Sequence, residues 1–292
     1  FILEPIIFYN EKNILKTKFN DICSVYGYSG PYSNNFDKNF LKEAWKKFDE
    51  WAKKNNIINE FIRFSIWKDN RKFSHPLTKI SKNRKSAVFH LPIDEEKILY
   101  DLGPKTRNMI RKAIKSNLNV KKLDFKKNIS SFKRIYDESM HENKASKFFF
   151  YNNDYYQNLS KMKSNEISMY GVYDNKKLIS SAIILKTKYN ALYHLGCTYK
   201  EYSNKGANNL CLFEITKDLL KENIHFFNLG GGRTIDENDP LLKFKERNSN
   251  KLIDFYIGKR VINLKQYKSL THEWESFTKK KSDPEILQFY KF

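Results

Sequence analysis

The sequence has little of the chemistry that marks secreted, metal-binding or membrane-spanning proteins. It contains only three cysteines, Cys23, Cys197 and Cys211, and their separations match no metal-ligand motif. No run of 18 apolar residues and no secretory signal are visible, so no transmembrane segment is expected. These features predict reduced thiols, a cytoplasmic location and no metal site.

Acidic residues are scarce relative to basic ones. The chain has 33 Asp and Glu against 54 Lys and Arg, which gives a net charge of +21. Such an excess is typical of proteins that bind an anionic partner, such as nucleic acid, a nucleotide, an anionic lipid headgroup or an acidic glycan. A proteome rich in lysine and asparagine would give the same excess without a functional cause, so both explanations stay open.

Familiar nucleotide-binding and nucleic-acid-binding motifs are missing. There is no GxxxxGK[ST] loop, and the GGGR segment at 230–233 lacks the spacing of a dinucleotide fingerprint. No clear helix-turn-helix, zinc finger or RNA-binding aromatic motif is present. A non-enzymatic nucleic-acid-binding protein is therefore the weakest of three functional hypotheses.

The length and apolar content predict an ordered α+β protein. With 292 residues and 40% hydrophobic content, the chain suits one large domain or two of about 150 residues. The second half predicts helices at 128–143 and 152–163 and an antiparallel meander with strands at 167–173, 178–185 and 191–197. A loop at 198–209, a helix at 210–220 and a strand at 226–229 follow. The other predicted segments are a helix at 37–55, a strand at 57–65, a basic loop at 68–86, a helix opened by Pro104, a loop at 233–250, a strand at 252–257 that turns at Gly258, and a helix near 265–280.

The stretch from Tyr193 to Gly232 combines a strand, a basic loop, an amphipathic helix and a glycine turn. Backbone N–H groups ahead of a helix can bind phosphate, because the positive end of the helix dipole lies there. We therefore expect a donor phosphate to bind at Lys205, Gly206, Ala207, Asn208 and Asn209, with Asn208 or Asn209 as the N-cap. An ordinary loop that enters a helix remains the alternative.

Several segments in order carry a family resemblance. YHLGCTYKEYSNKGANNLCLFEITKDLLKENIHFFNLGGG, DPLLKFKERNSN and FYIGKR resemble the C-terminal half of Fem-type proteins, the peptidoglycan-bridge aminoacyltransferases. They are equally similar to the acetyltransferase-like relatives of surface-polysaccharide loci. In the first half, YGYSGPY and KTRNMIRKA also resemble this superfamily, whose fold is that of the acyl-CoA N-acyltransferases (GNAT).

The resemblance implies two tandem GNAT-like domains, each a mixed, mostly antiparallel sheet flanked by helices, with a cleft between them. We place the domains at 1–124 and 125–292, and whether the first takes part in chemistry stays open. Residues 204–207, Asn-Lys-Gly-Ala, depart from the R-x-x-G-x-G/A pattern of GNAT pyrophosphate loops. The donor is thus left open between acyl-CoA and aminoacyl-tRNA.

Two enzymatic hypotheses follow. The first is a GNAT/Fem-like N-acyltransferase that acylates an amine of an amino sugar or sugar-nucleotide precursor of a bacterial cell-surface polymer, with acyl-CoA as co-substrate. The alternative is a Fem-type aminoacyltransferase that uses aminoacyl-tRNA on a peptidoglycan precursor. A small molecule or glycan precursor is the partner in the first case and tRNA joins it in the second.

Two residues are candidates for the chemistry of acyl transfer. His194 in the third strand of the meander has a side chain suited to accept the amine proton. Lys245, in a segment shared with the resembled family, could contact donor phosphate or stabilise the oxyanion. A hydrogen-bonded structural histidine and a solvated lysine are the respective alternatives.

The acceptor is expected to bind through aromatic and cationic side chains. Tyrosine rings and hydroxyls suit a sugar, and arginine and lysine suit phosphates. The candidates are Tyr28, Tyr32, Arg63, Lys105, Arg107 and Arg233.

Overall fold

The computed structural model describes residues 1–92 and 94–291, and the chain divides into two compact units. Unit 1 comprises Phe1–Asn83 and Asp254–Phe292, and unit 2 comprises Arg84–Ile253. The predicted boundary at residue 124 therefore falls inside unit 2. The order of elements along the chain did not reveal that its last 39 residues return to the first unit.

The regular elements are ten strands and eight helices in the described residues. The strands are β1 (Ile2–Tyr9), β2 (Ile14–Cys23), β3 (Ile57–Arg63), β4 (Lys79–His90), β5 (Asn119–Leu123), β6 (Ile167–Asp174), β7 (Lys177–Lys186), β8 (Asn190–Thr198), β9 (Phe226–Gly230) and β10 (Lys251–Val261). The helices are α1 (Lys38–Lys54), α2 (Glu95–Asp101), α3 (Pro104–Lys115), α4 (Phe125–Glu142), α5 (Asn153–Leu159), α6 (Ala207–Lys221), α7 (Pro240–Arg247) and α8 (Leu264–Thr278).

Unit 1 is built on strands β1, β2, β3 and the part of β10 from residue 254. β1 is antiparallel to β2, β2 is parallel to β3, and β3 is antiparallel to β10. Ile6 and Phe8 of β1 are buried against Leu270 and Trp274 of α8. Helix α1 begins at its N-cap Asp37, whose side chain accepts a hydrogen bond from the N–H of Phe40.

Unit 2 is built on a sheet with the strand order β4-β9-β8-β7-β6-β5. All neighbouring strands are antiparallel except β8 and β9, which are parallel. One face of the sheet carries a core shared with α2, α3 and α6, which includes Phe89, Ile110, Leu210 and Phe227. The opposite face packs against α4 and α5 through a second core, which includes Phe132, Tyr156, Met169 and Leu195.

The structure confirms the predicted fold class, an α+β protein of mixed, mostly antiparallel sheet flanked by helices. The predicted order of helices, meander, loop, helix and strand in the second half is also confirmed. No helix in residues 1–92 and 94–291 combines the length and the apolar character that crossing a membrane requires.

Three local predictions are wrong. Residues 79–86 of the predicted loop form the first part of β4, whose polar sequence hides its strand character. Residues 240–247 of the predicted loop 233–250 form α7, although Asp239 followed by Pro240 is a helix-start signal. Gly258 does not turn the chain but lies within β10 opposite Ile62, where a Cβ would lie 2.8 Å from the Thr78 side chain.

Candidate active site

The parallel strands β8 and β9 separate soon after they begin. They pair at three positions only, from Asn190 with Phe226 to Leu192 with Asn228. Beyond this point β8 continues to Thr198 paired with β7 alone, and its register with β7 shifts at His194. A register shift of this kind leaves one extra residue in the strand and re-aims its side chain, as in a β-bulge. The predicted base therefore lies where the two strands part.

His194 is held by a side chain from helix α5. Its Nε2 atom shares a hydrogen bond with the hydroxyl of Tyr155. Burial lowers the pKa of His194 to about 4, because the charged imidazolium loses its hydration there. The ring is therefore neutral at pH 7 and can accept a proton, but a pKa this low makes it a weak base.

Lys245 reaches from α7 to the glycine turn after β9. Its Nζ atom donates to the carbonyl of Gly231 at 2.8 Å. Burial lowers the pKa of Lys245 to about 8, and the neighbouring Arg84 acts in the same direction while Asp239 opposes it. An ammonium group with this pKa stays largely charged at pH 7 and titrates close to the physiological range, as at many functional sites.

Asp239 fixes the turn that Lys245 contacts. Its Oδ2 atom accepts from the N–H groups of Arg233 and Thr234, both at 2.9 Å. Its Oδ1 atom caps α7 by accepting from two N–H groups at 2.9 and 3.0 Å. A Cβ at Gly232 would lie 2.6 Å from the Asp239 side chain, so only glycine fits this approach.

Two arginines join Lys245 at this turn. The guanidinium of Arg84 donates to the carbonyl of Gly232 at 3.1 Å. That of Arg233 donates to Oδ1 of Asn143, which caps the C-terminal end of α4, at 2.8 Å. The turn thus carries three cationic side chains, and the carboxylate of Asp239 is used by backbone N–H groups. This arrangement suits an anionic or partly negative oxygen.

The predicted phosphate loop is occupied by contacts within unit 2. Gly206, at φ +77°, precedes the first helical residue, so the N-cap is not Asn208 or Asn209. A Cβ at Gly206 would lie 2.3 Å from the Met109 carbonyl oxygen of α3, which shows how closely that helix covers the loop. Lys205 forms an ion pair with Asp174 at 2.6 Å, and Ala207 is buried.

The two asparagines of that loop also have protein partners. Asn208 Oδ1 accepts from the Tyr193 hydroxyl at 3.4 Å, and Asn209 Nδ2 donates to Asn248 Oδ1 at 2.9 Å. These contacts, together with the cover from α3, weigh against a phosphate cradle at 205–209.

The predicted acceptor residues are distributed over both units. In unit 2, Lys105 is exposed, whereas Arg107 donates to the carbonyls of Tyr100 and Leu102 and so fastens α2 to α3.

In unit 1, the Arg63 guanidinium lies 4.8 Å from the centre of the Phe61 ring, the Tyr28 ring meets Phe255 edge-on at 5.2 Å, and Tyr32 is exposed. A shared acceptor site for these residues stays a prediction.

Unit 2 also has a surface pocket. This pocket of about 410 Å³ is lined by Ile114 of α3, Leu118 of the turn after it, Val120 of β5 and Glu214 of α6, and its lining includes neither His194 nor Lys245. In residues 1–92 and 94–291, no three His, Cys, Asp or Glu side chains are grouped as metal ligands would be.

Sequence reasoning missed Tyr155, Arg84 and Asp239. Asp239 could have been found from the Asp-Pro pair that starts α7. Arg84 was assigned to a loop, and Tyr155 carries no local signal because its role depends on a contact with a residue 39 positions away.

Comparisons with known proteins concern the domain family and the fold. Residues 104–245 match the acetyltransferase (GNAT) domain family. Among solved structures, FemX superposes with a TM-score of 0.68 at 12% identity, over 92% of this chain and 90% of FemX. No curated protein sequence matches this chain.

Two further structures share the fold. The C-terminal domain of a proposed lysylphosphatidylglycerol synthetase from Agrobacterium fabrum has a TM-score of 0.60 at 13% identity, over 94% of this chain and 88% of that one. L-PGS from Bacillus licheniformis has a TM-score of 0.57 at 12% identity, over 87% and 83%. Residues 104–245 therefore match a GNAT acetyltransferase domain and the chain shares the fold of FemX, which together support an acyltransferase.

Proposed function

We propose that this acyltransferase acylates an amine of an amino sugar or sugar-nucleotide precursor of a bacterial cell-surface polymer, with acyl-CoA as donor. The assignment of the site rests on the position of Lys245. Its buried ammonium group donates to the carbonyl of Gly231, close to the point where β8 and β9 part. A cytoplasmic location belongs to this proposal and is supported by three free cysteines.

The proposed reaction uses Lys245 to stabilise negative charge. The acceptor amine attacks the thioester carbonyl, and the carbonyl oxygen becomes an oxyanion. A cation held in a site with little water stabilises that charge more than it stabilises the ground state. The C–N bond forms, the C–S bond breaks, and the proton lost by the amine ends on the thiolate of CoA. Neutral His194, oriented by Tyr155, is the proposed carrier of that proton.

The donor's phosphate groups require cations other than the predicted loop. Arg84 and Arg233 lie at the same turn as Lys245, and both are held by hydrogen bonds to oxygen atoms of unit 2. We therefore assign donor-anion binding to this turn in place of residues 205–209.

A titration with acetyl-CoA tests the donor. We expect thermal stabilisation of the protein by acetyl-CoA, and release of free CoA when amino sugars or their nucleotide derivatives are added. Arg84→Gln should weaken acetyl-CoA binding, whereas Lys121→Gln, a change on the edge strand β5, should leave it unchanged. Absence of any shift at saturating acetyl-CoA would exclude this donor.

Aminoacyl-tRNA is the second candidate donor. The net charge of +21 favours it, and so does the cover that α3 provides over Gly206, where a CoA pyrophosphate was expected. Binding to tRNA that weakens steeply between about 50 and 200 mM salt would support this donor, since displaced counterions give that dependence. Binding that is absent or insensitive to salt would exclude it.

A further inference from the structure

Asn228 is a buried polar residue in the strand that leads to the Lys245 turn. It lies in β9 and has no exposed surface. Its neighbours Phe227 and Leu229 point into the core on the α6 side, so Asn228 faces the opposite side of the sheet. It is also the last residue of β9 that pairs with β8.

Two donors fix the orientation of the Asn228 side chain. Its Oδ1 atom accepts from the N–H of Gly230 and from the hydroxyl of Ser86, both at 2.8 Å. A backbone N–H can only donate, so the oxygen and nitrogen of the amide are assigned by chemistry. In the described part of the chain, its buried Nδ2 atom has no hydrogen-bond partner.

This arrangement is costly for stability alone. A buried donor without an acceptor is destabilising, and an apolar side chain of similar shape would avoid that cost. What the amide provides in return is a fixed Gly230. That residue adopts φ +82°, a left-handed conformation, and the next carbonyl, of Gly231, accepts from Lys245.

The contacts form a chain from β4 to the ammonium group. Ser86 holds Asn228, Asn228 holds the N–H of Gly230, and the turn that follows presents its carbonyls to Lys245 and Arg84. A Cβ at Gly230 would lie 3.2 Å from Lys245 Nζ, so a small movement of this residue would displace the lysine.

We propose that Asn228, held by Ser86, is a positioning residue that sets the turn at Gly230 and thereby places the Lys245 ammonium group for acyl transfer. The inference rests on the proposed role of Lys245 but concerns a residue that does not itself touch the reacting atoms. Asparagine suits this role because it accepts two hydrogen bonds without adding charge beside Lys245, whose charged neighbours are Arg84 and Asp239.

Two substitutions test whether the hydrogen-bond acceptor of Asn228, and not only the space its side chain fills, positions the turn. Asn228→Leu keeps the approximate volume and removes the acceptor, so the turn loses its anchor. Asn228→Asp keeps the acceptor and adds a negative charge. Thr216→Val serves as the control, because it removes another buried polar group of unit 2, a hydroxyl that donates to the Leu212 carbonyl within α6.

The first measurement does not depend on activity. Competitive labelling of lysines with acetic anhydride across pH, followed by peptide mass spectrometry, reports the pKa of Lys245. We expect Asn228→Leu to raise it by about one unit or more, since a released ammonium regains water. We expect Asn228→Asp to raise it as well, since a carboxylate favours the charged form. Thr216→Val should leave it unchanged.

The second measurement separates position from charge. With acetyl-CoA and an amino-sugar acceptor, Asn228→Leu should lower kcat about 10- to 100-fold with little change in KM, the effect expected of a misplaced group. Asn228→Asp should recover most of kcat and shift the alkaline limb of the pH profile upward. An unchanged Lys245 pKa and kcat in Asn228→Leu would overturn the positioning role.

The two proposals fail separately. If Lys245→Met retains full acyl transfer, the proposed function of Lys245 is wrong, whatever the labelling of the Asn228 variants reports. If Lys245→Met is inactive while Asn228→Leu behaves like Thr216→Val in both measurements, only the positioning role is wrong.

Discussion

Lys245 Nζ donates a hydrogen bond to the carbonyl of Gly231, 14 residues earlier in the chain, at 2.8 Å. This bond links the helix α7 to the glycine turn at the end of β9. It holds a cation in a place where burial makes its charged form expensive. Functional sites often accept such a cost, because a desolvated charge acts more strongly on the reacting group.

Replacement of Lys245 should abolish most of the activity. We expect Lys245→Met to lower kcat/KM for acyl transfer from acetyl-CoA by about 100-fold or more, the typical cost of losing one oxyanion-stabilising group. Lys243→Met is the matched control, because Lys243 lies two residues away and pairs with Glu246 on the surface of α7. If the two variants are equally active, Lys245 has no catalytic role.

The pH profile should reveal the charge on Lys245. The proposed role of Lys245 requires its ammonium form, so the wild-type rate should fall about tenfold per pH unit above pH 8. In Lys245→Arg the guanidinium stays charged, and the alkaline limb should disappear even if the rate is lower. A limb that persists in Lys245→Arg would point to another group.

The burial of Lys245 should also change how the free energy of unfolding depends on pH. The folded-state pKa of Lys245, about 8, lies below its ordinary value of 10.5, so the unfolded state binds more protons between these values. The wild-type free energy of unfolding should therefore rise from pH 8 to 10.5. At pH 7 we expect Lys245→Met to be more stable than the wild type by about 1–3 kcal/mol in urea unfolding. Equal stability of Lys245→Met and the wild type at pH 7, with no rise in wild-type stability from pH 8 to 10.5, would contradict this prediction.

His194 should make stability fall in mild acid. Burial lowers its folded-state pKa to about 4, below the ordinary 6.5, so only the unfolded state gains a proton between these values. The wild type should lose about 1–3 kcal/mol between pH 6.5 and 4 through this group, and His194→Gln should lose less. His225→Gln, a change at an exposed histidine of unit 2, is the control and should follow the wild type.

The sequence predicted the elements of unit 2 well because their patterns are local. The meander shows strand alternation, Asp94 caps α2, and Pro104 lies in the first turn of α3, so each element carries its own signal. The site was harder to predict, because it depends on distant pairs. Only the fold brings Tyr155 to His194 and Arg84 to the turn beside Lys245.

The phosphate loop shows the limit of a motif. A small-residue loop before a helix predicts free backbone N–H groups, and the sequence gives no sign that another helix covers them. In the structure Gly206 serves close packing against Met109 instead. The sequence alone does not distinguish a glycine that exposes backbone N–H groups to a ligand from one that allows another helix to pack closely.

Gly206 should tolerate no side chain. In Gly206→Ala the new Cβ would lie 2.3 Å from the Met109 carbonyl oxygen at a positive φ, so α3 must move. We expect a loss of about 2 kcal/mol or more in urea unfolding. Gly103→Ala is the control, since in the described part of the chain no atom other than those of its chain neighbours lies within 4 Å of its Cβ position, and it should cost less than about 1 kcal/mol. A mild effect at Gly206 would reopen the loop as a ligand site.

Arg260 should be among the most sensitive positions of unit 1. Its guanidinium is buried and donates to Glu60 at 2.9 Å and to Asp49 at 2.7 Å. Arg260→Met leaves the Glu60 carboxylate buried without its partner, at a cost of about 3–5 kcal/mol at pH 7. Arg71→Met breaks a more exposed pair with Asp69 and should cost less than about 1 kcal/mol.

The sign of the pH effect tests the cause of that loss. Desolvation already raises the pKa of Glu60 in the folded wild type, and loss of Arg260 should raise it further. A raised carboxyl pKa gives stability that is present at low pH and is lost as pH rises through the folded-state value. The deficit of Arg260→Met should therefore shrink as pH falls from 7 to 5, and Arg260→Met/Glu60→Leu should remove its pH dependence. A deficit that is the same at both pH values would show that lost packing, not the stranded carboxylate, is responsible.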